Sequence, residues 1–445
     1  MLFPTIEFCL FFLVFLFFYS FISNNSKKIY LLAIFNIIFY SFFSFFAFLY
    51  LLFWSFLLFI YPKIKFYKKT TFFVLIAIFQ ISFWKLYETG LLGIHDWKMP
   101  LGISFFTFQG LTYLFALEKI PSQKENLHIH SSWEFLKLFA FIGFFPTVFS
   151  GPILRAKEWD TEISQESSFT NHVLNIGLGL IALGTFYKLC LASYLHSTVS
   201  QAFSSPSEES SSFLWLGMYS YGFEIFFDFA GYSLMSMGIA KLFGFNIPNN
   251  FNQPYLSSNI RDFWTKWHIS LSSWFRDYIY LPLGGSKVTK LRQNLNISIV
   301  MITSGLWHGL SGNYLAWGLL HLLAIVFYHN LPSKFKLPIV FSWFINLHYV
   351  FFAWIFFRSN SFSQAIEYIS SMFQIENTGS DIQLYHYLLI FFFFFVIFTE
   401  KSILHIIYKN NIKSYLQTTI LWSILFIIIL IISPSGLPPF IYFQY

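Results

Sequence analysis

The chain consists of long apolar runs separated by short polar segments. The stretches 391–395 and 427–432 are typical of these runs, which are continuous and do not alternate with polar residues. Continuous runs indicate transmembrane helices, whereas the strands of a membrane barrel would alternate. The pattern predicts an all-α, polytopic transmembrane helical bundle of about 11 to 12 spans. We place these spans at residues 3–22, at two short helices within 29–61, and at 70–87, 100–118, 172–195, 213–243, 293–310, 312–330, 338–357, 383–400 and 414–432.

Three further segments are partly apolar but are not predicted to cross the membrane. Residues 133–152 contain Pro146 and the pair Gly151-Pro152. Because these residues break helices, we predict a re-entrant segment there. Residues 257–280 predict an amphipathic helix at the cytoplasmic interface, and 362–373 predict one at the opposite surface. We expect the spans and these segments to form a central funnel.

The composition supports this class of protein. Of the 445 residues, 56% are hydrophobic and only 11% are charged, which is far more apolar than a soluble core requires. No stretch is long enough for a separate soluble domain, so we treat 1–445 as one integral membrane domain. Within it we distinguish peripheral N-terminal spans (1–132), a core (133–331), and C-terminal spans with an aromatic tail (332–445).

The charge pattern indicates orientation and not a nucleic-acid partner. The net charge is +7, but Lys and Arg lie in short segments between apolar runs, which is how membrane topology is encoded. The basic segment 244–292 is therefore expected on the cytoplasmic side. Residues 196–212 contain no Lys or Arg, so we expect them outside, together with the C-terminal tail.

Several common chemistries lack their sequence signatures. The chain has no Gly-Xaa-Ser-Xaa-Gly elbow, no Walker loop, no HExxH motif and no paired CxxC, which argues against serine hydrolase, nucleotide hydrolase and zinc chemistry. Cys9 and Cys190 both lie in apolar runs. They form neither a disulfide framework nor a metal cluster, and we expect no metal site.

The interfacial segment carries a candidate binding site. Read as one helix, residues 261–278 separate apolar and polar side chains onto two faces. The helix is either an anchor with Trp at headgroup level, or a basic mouth for an anionic donor such as a phosphate-bearing coenzyme. In the second interpretation Arg261, Lys266 and Arg276 bind the donor and His268 lines the entrance. The apolar face carries Phe263, Trp267, Leu271, Trp274 and Tyr278, and the polar face carries Arg261, Thr265, His268, Ser272 and Arg276.

The span 213–243 contains a polar stripe. Tyr221, Glu224, Asp228 and Tyr232 recur at spacings of three and four, so two carboxylates share one helical face. Burying either charge in lipid costs several kcal/mol, so the stripe faces protein or water. Each carboxylate is either catalytic or a structural partner of a Trp, Tyr or His in 249–321, and the spacing does not separate these alternatives.

A histidine deep in an apolar segment is the strongest catalytic candidate. His308 follows about fifteen largely apolar residues, so it is expected deep in the hydrocarbon region. It is either a core histidine bonded to a carbonyl, or a general base that activates a hydroxyl. Gly305, Gly309 and Gly312 nearby leave room for a substrate. For His321, thirteen residues later, we prefer a packing role.

Several sequence blocks together resemble the membrane-bound O-acyltransferase family, in its bacterial branch of alginate O-acetylation and teichoic acid D-alanyl transfer proteins. The resemblance covers nearly the whole chain. Together the blocks are specific to this family, whereas any one alone would not be. They are PLGISFFTFQ (100–109), FP (145–146), GPILR (151–155), FDFAGY (227–232), NFNQPY (250–255), FWTKWHIS (263–270), RDYIY (276–280) and LWHG (306–309).

The resemblance implies a helical funnel in which an acyl group from a cytoplasmic thioester meets an acceptor from outside. It implies that His308 takes the position of the catalytic histidine of the family. It also implies that His268, Asp228 and Arg155 match other motif positions near the tunnel. We expect His268 and Asp228 to be catalytic residues together with His308, and Arg155 to lie on the donor side.

Two positions depart from the family pattern. Relatives usually carry Asp where this chain has Leu234, and an amide where it has Glu224. The carboxylates of the stripe thus stand at other positions than in relatives. A catalytic role for Asp228 therefore stays open.

The tail PPFIYFQY (438–445) is similar to the aromatic end of polysaccharide-acetylating relatives. One hypothesis is that Tyr442 or Tyr445 folds into the outer funnel and carries the acyl group as a phenolic ester. The alternative is an aromatic anchor at the membrane interface. Asn313, near His308, is a further candidate on the acceptor side.

The resemblance implies an acyltransferase of the bacterial cytoplasmic (inner) membrane. Acetyl-CoA or another acyl thioester is the expected donor substrate, with no bound cofactor, and an envelope or exported polysaccharide is the expected acceptor. D-alanyl or longer acyl transfer is an alternative. Expected partners are membrane lipid, the polysaccharide and a periplasmic SGNH-type acetyltransferase, with no nucleic acid. A lipid-linked sugar flippase would be a different class, but its buried charge would be spread over several helices, and here it lies in one block.

Overall fold

A computed structural model describes residues 3, 5–90, 92, 99–119, 135–164, 169–332, 337–374, 384–409 and 414–434. These residues form helices and turns, and the described ranges contain no strand. The helices are α1 (Ile6–Ser20), α2 (Asn25–Phe43), α3 (Phe45–Ile60), α4 (Lys69–Glu88), α5 (Ile103–Lys119), α6 (Phe135–Ile142), α7 (Ala156–Ser164), α8 (Asn171–Thr185), α9 (Ser193–Ser204), α10 (Ser211–Leu242), α11 (Ile260–Lys266), α12 (Ile269–Phe275), α13 (Lys290–His308), α14 (Gly312–Asn330), α15 (Ile339–Arg358), α16 (Phe362–Met372), α17 (Leu384–Lys409) and α18 (Tyr415–Ile432).

The all-α membrane fold is confirmed. Among the described residues, seven helical segments are long and apolar enough to cross a membrane. They include α2 and α3, which are the two short helices predicted within 29–61. The helices α10, α13 and α14 are not among the seven, because they carry the polar residues of the candidate site. Such helices are stable in a membrane when their polar faces contact protein.

Two helical segments continue beyond the predicted spans. The span predicted to end at residue 195 continues as Asn171–Ser204, with a π-helical turn at Phe186–Ala192. The span predicted to end at residue 400 continues through Lys401 to Lys409. The end of an apolar run marks the end of the hydrocarbon region, but backbone hydrogen bonding can continue into the headgroups.

The chain divides into two compact units. The first contains residues 1–181, 232–248 and 411–419, and the second contains 182–231, 249–410 and 420–445. Helix α10 contributes residues to both. The division into peripheral, core and C-terminal parts that we expected from the sequence stays a prediction.

In the first unit, a helix break occurs where it was predicted. Helix α6 ends at Ile142 and is followed by buried turns through Ser150. The buried side chain of Asn36 compensates the break, because its Nδ2 donates to Ala140 O (3.2 Å) and its Oδ1 accepts from Phe145 N (3.1 Å). Phe145 packs against Phe11 and Phe15, with ring centroids 5.5 and 5.4 Å apart. Irregular backbone is thus held inside protein, as a membrane requires.

In the second unit, α13 and α14 form a close hairpin. A Cβ atom built on Gly305 would lie 2.7 Å from Tyr314 O, and one on Gly318 would lie 2.8 Å from Met301 O. Larger residues at either position would therefore push the helices apart. Small residues are the usual means of bringing membrane helices into contact, and here they fix the position of His308 at the end of α13.

The prediction of a single amphipathic helix over 257–280 is wrong. The structure has two short helices, α11 and α12, separated at Trp267 and His268, followed by a π-helical turn at Arg276–Tyr280. The φ angle of His268 is +41°, in the left-handed region. Tertiary hydrogen bonds replace the helical ones, since Ile269 N donates to Asn250 O (2.9 Å) and Ser270 Oγ donates to Asn250 Oδ1 (2.6 Å). The break turns His268 away from the polar face and buries it.

The predicted surface helix at 362–373 is confirmed as α16. It buries Ala365 and Tyr368 on one side. The Tyr368 hydroxyl donates to Leu214 O (2.7 Å), and Gln364 Nε2 donates to Phe203 O (2.7 Å). These bonds tie α16 to α9 and α10.

Candidate functional site

The second unit contains a cavity of about 840 Å³ with a basic wall. Arg261 of α11 and Arg276 of the π-helical turn both line it. We call it the basic cavity. Its other walls come from α12, α13 and α14, and its lining residues include Trp264, Thr265, Ser272, Tyr280, Gln293, Met301, Ser304 and Tyr328.

The structure brings together two of the four predicted donor-binding residues. Arg261 and Arg276 lie on the same cavity because the break between α11 and α12 redirects the chain. Lys266 is not among the lining residues, and its Nζ pairs with Asp262 Oδ2 at 2.8 Å. Arg155 belongs to the first unit, immediately before α7, where its backbone N donates to Glu158 Oε2 (3.0 Å).

The basic cavity extends along α13 towards His308. Met301 and Ser304 of α13 line it, and His308 follows Ser304 by four residues. Residues four apart lie on the same face of a helix, one turn from each other. The candidate base is therefore one helical turn beyond a polar residue of the cavity wall.

Aromatic rings surround the imidazole of His308. Its ring centroid lies 5.1 Å from that of Trp317 and 4.8 Å from that of Phe357, both with edge-to-face geometry. Only 8% of His308 is exposed. Water is largely excluded, so charges that develop in a reaction here would interact strongly with neighbouring groups.

His321 lies on the other side of Trp317, at 4.9 Å between ring centroids. It is fully buried, packs against Trp264 (5.0 Å), and neither ring nitrogen has a hydrogen-bond partner. This geometry supports the packing role that we preferred from the sequence.

His268 packs in the second unit and does not line the basic cavity. It is 1% exposed, contacts the Phe229 ring edge-to-face at 4.6 Å, and has no hydrogen-bond partner at either nitrogen. Burial lowers the pKa of His268 to about 3. Its neutral ring acts as a core side chain, and our expectation that it lines the donor entrance does not match this position.

The stripe on α10 has charged partners that the sequence analysis missed. Asp228 forms a buried ion pair with Lys188 of the π-helical turn at Phe186–Ala192. Glu224 Oε1 lies 2.7 Å from Nδ1 of His196 in α9. Neither partner belongs to the stretch 249–321, which one of our two alternatives proposed as the source of a structural partner. A lysine inside the apolar run 186–192 was the available signal, since a buried cation requires a counter-charge.

Asn313 has a structural role. Its Nδ2 donates to Phe356 O (3.3 Å) and Ser359 O (2.7 Å), and its Oδ1 accepts from the Ser311 hydroxyl (2.6 Å). The side chain joins the start of α14 to the end of α15. Because these bonds occupy the amide, it does not match the acceptor-side role that we considered.

Two further parts of the sequence interpretation concern the tail tyrosines and a metal site. Tyr442 and Tyr445 lie outside the described residues. Within the described ranges, no group of three or more His, Cys, Asp or Glu side chains could hold a metal ion.

A family comparison agrees with the arrangement of helices and polar residues. The model of the membrane-bound O-acyltransferase family matches residues 64–363, which is more than half of the chain. The chain belongs to this family. It is therefore an acyltransferase, and the resemblance seen in the sequence blocks is confirmed.

Individual relatives act on different polymers. The chain is 29% identical to the peptidoglycan O-acetyltransferase of Helicobacter pylori over 427 residues, covering 85% of this chain and 80% of that protein. It is 30% identical to the probable alginate O-acetylase AlgI of Pseudomonas aeruginosa, covering 62% of this chain and 52% of that protein. It is 31% identical to the teichoic acid D-alanyltransferase of Bacillus subtilis, covering 60% of this chain and 71% of that protein. The matched region thus spans about half the length of the alginate relative.

The buried pair Lys188–Asp228 generates a stability prediction. Asp228→Leu or Lys188→Met alone leaves an uncompensated buried charge, so each should lower the free energy of unfolding by about 3 to 5 kcal/mol. The double variant should recover most of this loss. Unfolding in mild detergent, read as a double-mutant cycle, measures both effects.

The partly exposed pair Lys266–Asp262 provides the control. The same substitutions there should change stability by about 0 to 1 kcal/mol. If the double variant at 188 and 228 is as unstable as the single variants, the pair does not stabilise the fold. If the double variant is stable but inactive, Asp228 also has a catalytic role.

The buried ring of His268 predicts a pH effect on stability. The unfolded chain binds a proton at His268 below pH 6.5, whereas the folded protein binds it only near pH 3. Stability should therefore fall as the pH drops through this window, by up to about 1.4 kcal/mol per pH unit. In His268→Phe this contribution is absent, so the stability difference between the variant and the wild type should change between these pH values. If the plots of stability against pH for the wild type and His268→Phe are parallel between these pH values, His268 is not buried as a neutral imidazole.

Proposed function

We propose that the protein transfers an acyl group, with acetyl as the first candidate, from a cytoplasmic acyl thioester to hydroxyl groups of a cell-envelope polymer. The observation that carries this proposal is the basic cavity, which begins at Arg261 and Arg276 and reaches Ser304, one turn from His308. The names of the relatives support an envelope polymer as the acceptor.

The basic end of the cavity suits an anionic donor. Arginine presents several N–H donors in a fixed plane and binds phosphate groups well. A coenzyme A thioester carries phosphates at one end and the acyl group at the end of a long uncharged arm. The phosphates would bind Arg261 and Arg276, and the arm would follow α13 towards His308.

His308 would act as the general base. Its imidazole takes the proton of the attacking hydroxyl as the hydroxyl oxygen bonds to the carbonyl carbon of the thioester. The bond between this carbon and sulphur then breaks, and the proton passes from His308 to the departing thiolate. The products are an ester and a thiol, and the imidazole is neutral again.

The setting of the reaction is also part of the proposal. The bacterial relatives support a bacterial inner membrane, with the basic segment 244–292 on the cytoplasmic side. A separate periplasmic SGNH-type acetyltransferase would receive the group in a two-protein system. The B. subtilis relative favours D-alanyl as the second candidate acyl group.

A histidine substitution tests the proposal. His308→Gln removes the base but keeps a polar side chain of similar length, so the rate of acyl transfer should fall by about 10²-fold to 10⁴-fold. The assay follows thiol release from acetyl-CoA and D-alanyl thioesters by purified protein, and the mass of the acylated polymer. His405→Gln, at an exposed position of α17, is the matched control and should retain the wild-type rate. A folded His308→Gln protein with more than a tenth of the wild-type rate would contradict the role of His308.

A further inference from the structure

A second histidine forms a chain of hydrogen-bonding groups away from the basic cavity. His196 Nδ1 lies 2.7 Å from Glu224 Oε1, and its Nε2 lies 3.4 Å from the Ser200 hydroxyl oxygen. His196 and Ser200 occupy one face of α9, and Glu224 belongs to α10. Neither the family comparison nor the proposed reaction uses these residues.

The carboxylate fixes the state of the ring. The Glu224 side chain is 5% exposed, whereas the His196 side chain is 34% exposed. An ionised carboxylate only accepts hydrogen bonds, so Nδ1 carries a proton, and in the neutral ring Nε2 is an acceptor. The buried glutamate therefore holds a partly accessible imidazole with its acceptor nitrogen directed towards a hydroxyl.

The hydroxyl of Ser200 indicates what this nitrogen can bind. A separation of 3.4 Å is long for a hydrogen bond from a hydroxyl. The bond is weak, and the hydroxyl of a bound molecule could replace it at little cost. Serine hydroxyl and sugar hydroxyl groups have the same hydrogen-bonding capacity.

Arg358 packs on the α9 face that carries His196, and the residue before it contacts the candidate base. The Arg358 guanidinium lies 5.5 Å from the ring centroid of Phe203, which shares the α9 face with His196 and Ser200. Its positive charge acts on both His196 and Glu224. The preceding residue, Phe357, contacts the His308 ring at 4.8 Å. The end of α15 thus contacts the candidate base through Phe357, and through Arg358 it contacts Phe203 on the α9 face that carries His196.

The chemistry of the group suits a polyhydroxylated ligand. His196 offers an acceptor nitrogen, and Arg358 offers several N–H donors. Glu224 fixes the orientation of the His196 ring. Sugar hydroxyls both donate and accept, so adjacent hydroxyls on one ring can satisfy both kinds of partner. Asp228 also acts electrostatically on His196, but Lys188 balances its charge.

We propose that His196, held by Glu224 and assisted by Arg358, binds a sugar hydroxyl of the acceptor at the end of α15, next to His308. This inference rests on the proposed function and names the acceptor side of the same site. His308 acts on the reacting hydroxyl, and the His196 group holds a neighbouring hydroxyl of the same sugar chain.

Steady-state kinetics of purified full-length protein test the inference. The probes are acetyl-CoA with either a tetramer of N-acetylglucosamine or a tetramer of mannuronate, whichever the wild type acetylates. His196→Leu and Glu224→Gln should each raise KM for the oligosaccharide about tenfold, as expected for a lost hydrogen bond to a fixed polar group. They should leave KM for acetyl-CoA within about twofold, because the basic cavity is unchanged.

Two further variants separate the outcomes. His405→Leu controls for the substitution itself and should behave as the wild type. Ser200→Ala should keep its activity, because the serine is displaced by the acceptor. If Ser200→Ala is inactive and an acyl group is found on Ser200 in the wild type, the hydroxyl is a covalent carrier and the binding proposal is wrong.

The remaining outcomes distinguish this inference from the proposed function. Unchanged oligosaccharide KM in folded His196→Leu and Glu224→Gln would overturn the acceptor site while leaving His308 as the base. If the wild type acetylates neither oligosaccharide, the proposal that the acceptor is a sugar chain is wrong. Full activity of His308→Gln would overturn the proposed function, whatever the His196 variants show.

Discussion

The structure depends on one constraint, which is that charged groups and backbone groups inside an apolar helical protein need partners. An unpaired backbone or charged group in such surroundings costs several kcal/mol. Lys188 and Asp228 satisfy this requirement with each other. Asn36 in the first unit and Asn250 in the second satisfy it for backbone at helix breaks. The irregular segments are therefore as strongly determined as the helices.

The candidate site is a consequence of these helix breaks. If 257–280 were one straight helix, Arg261 and Arg276 would be fifteen residues apart, or about 22 Å along its axis. Asn252 N donates to Lys266 O at the end of α11, Asn250 bonds the start of α12 at Ile269, and both arginines line one cavity. A break that a buried asparagine stabilises thus places two positive charges in the lining of one cavity.

The sequence was informative where structure is local. The apolar runs predicted helices, and α2, α3 and α16 lie where the runs and the amphipathic pattern placed them. The prediction from helical periodicity failed over 257–280 because Asn250, which lies outside this segment, replaces the local hydrogen bonds. The partners of Glu224 and Asp228 also required the fold, since α9 and the π-helical turn are separated from α10 in sequence. His308 could be singled out as an ionisable residue in an apolar segment, but its contacts with Trp317 and Phe357 could not be predicted.

The account connects an anionic donor at Arg261 and Arg276 with a buried imidazole at the end of α13. A cryo-electron microscopy structure with a non-hydrolysable acetyl-CoA analogue tests this connection most directly. The account predicts phosphates beside the two arginines, the arm passing Ser304, and the acyl carbon next to the His308 ring. An analogue bound with its acyl end elsewhere, and His308 still enclosed by Trp317 and Phe357, would contradict it.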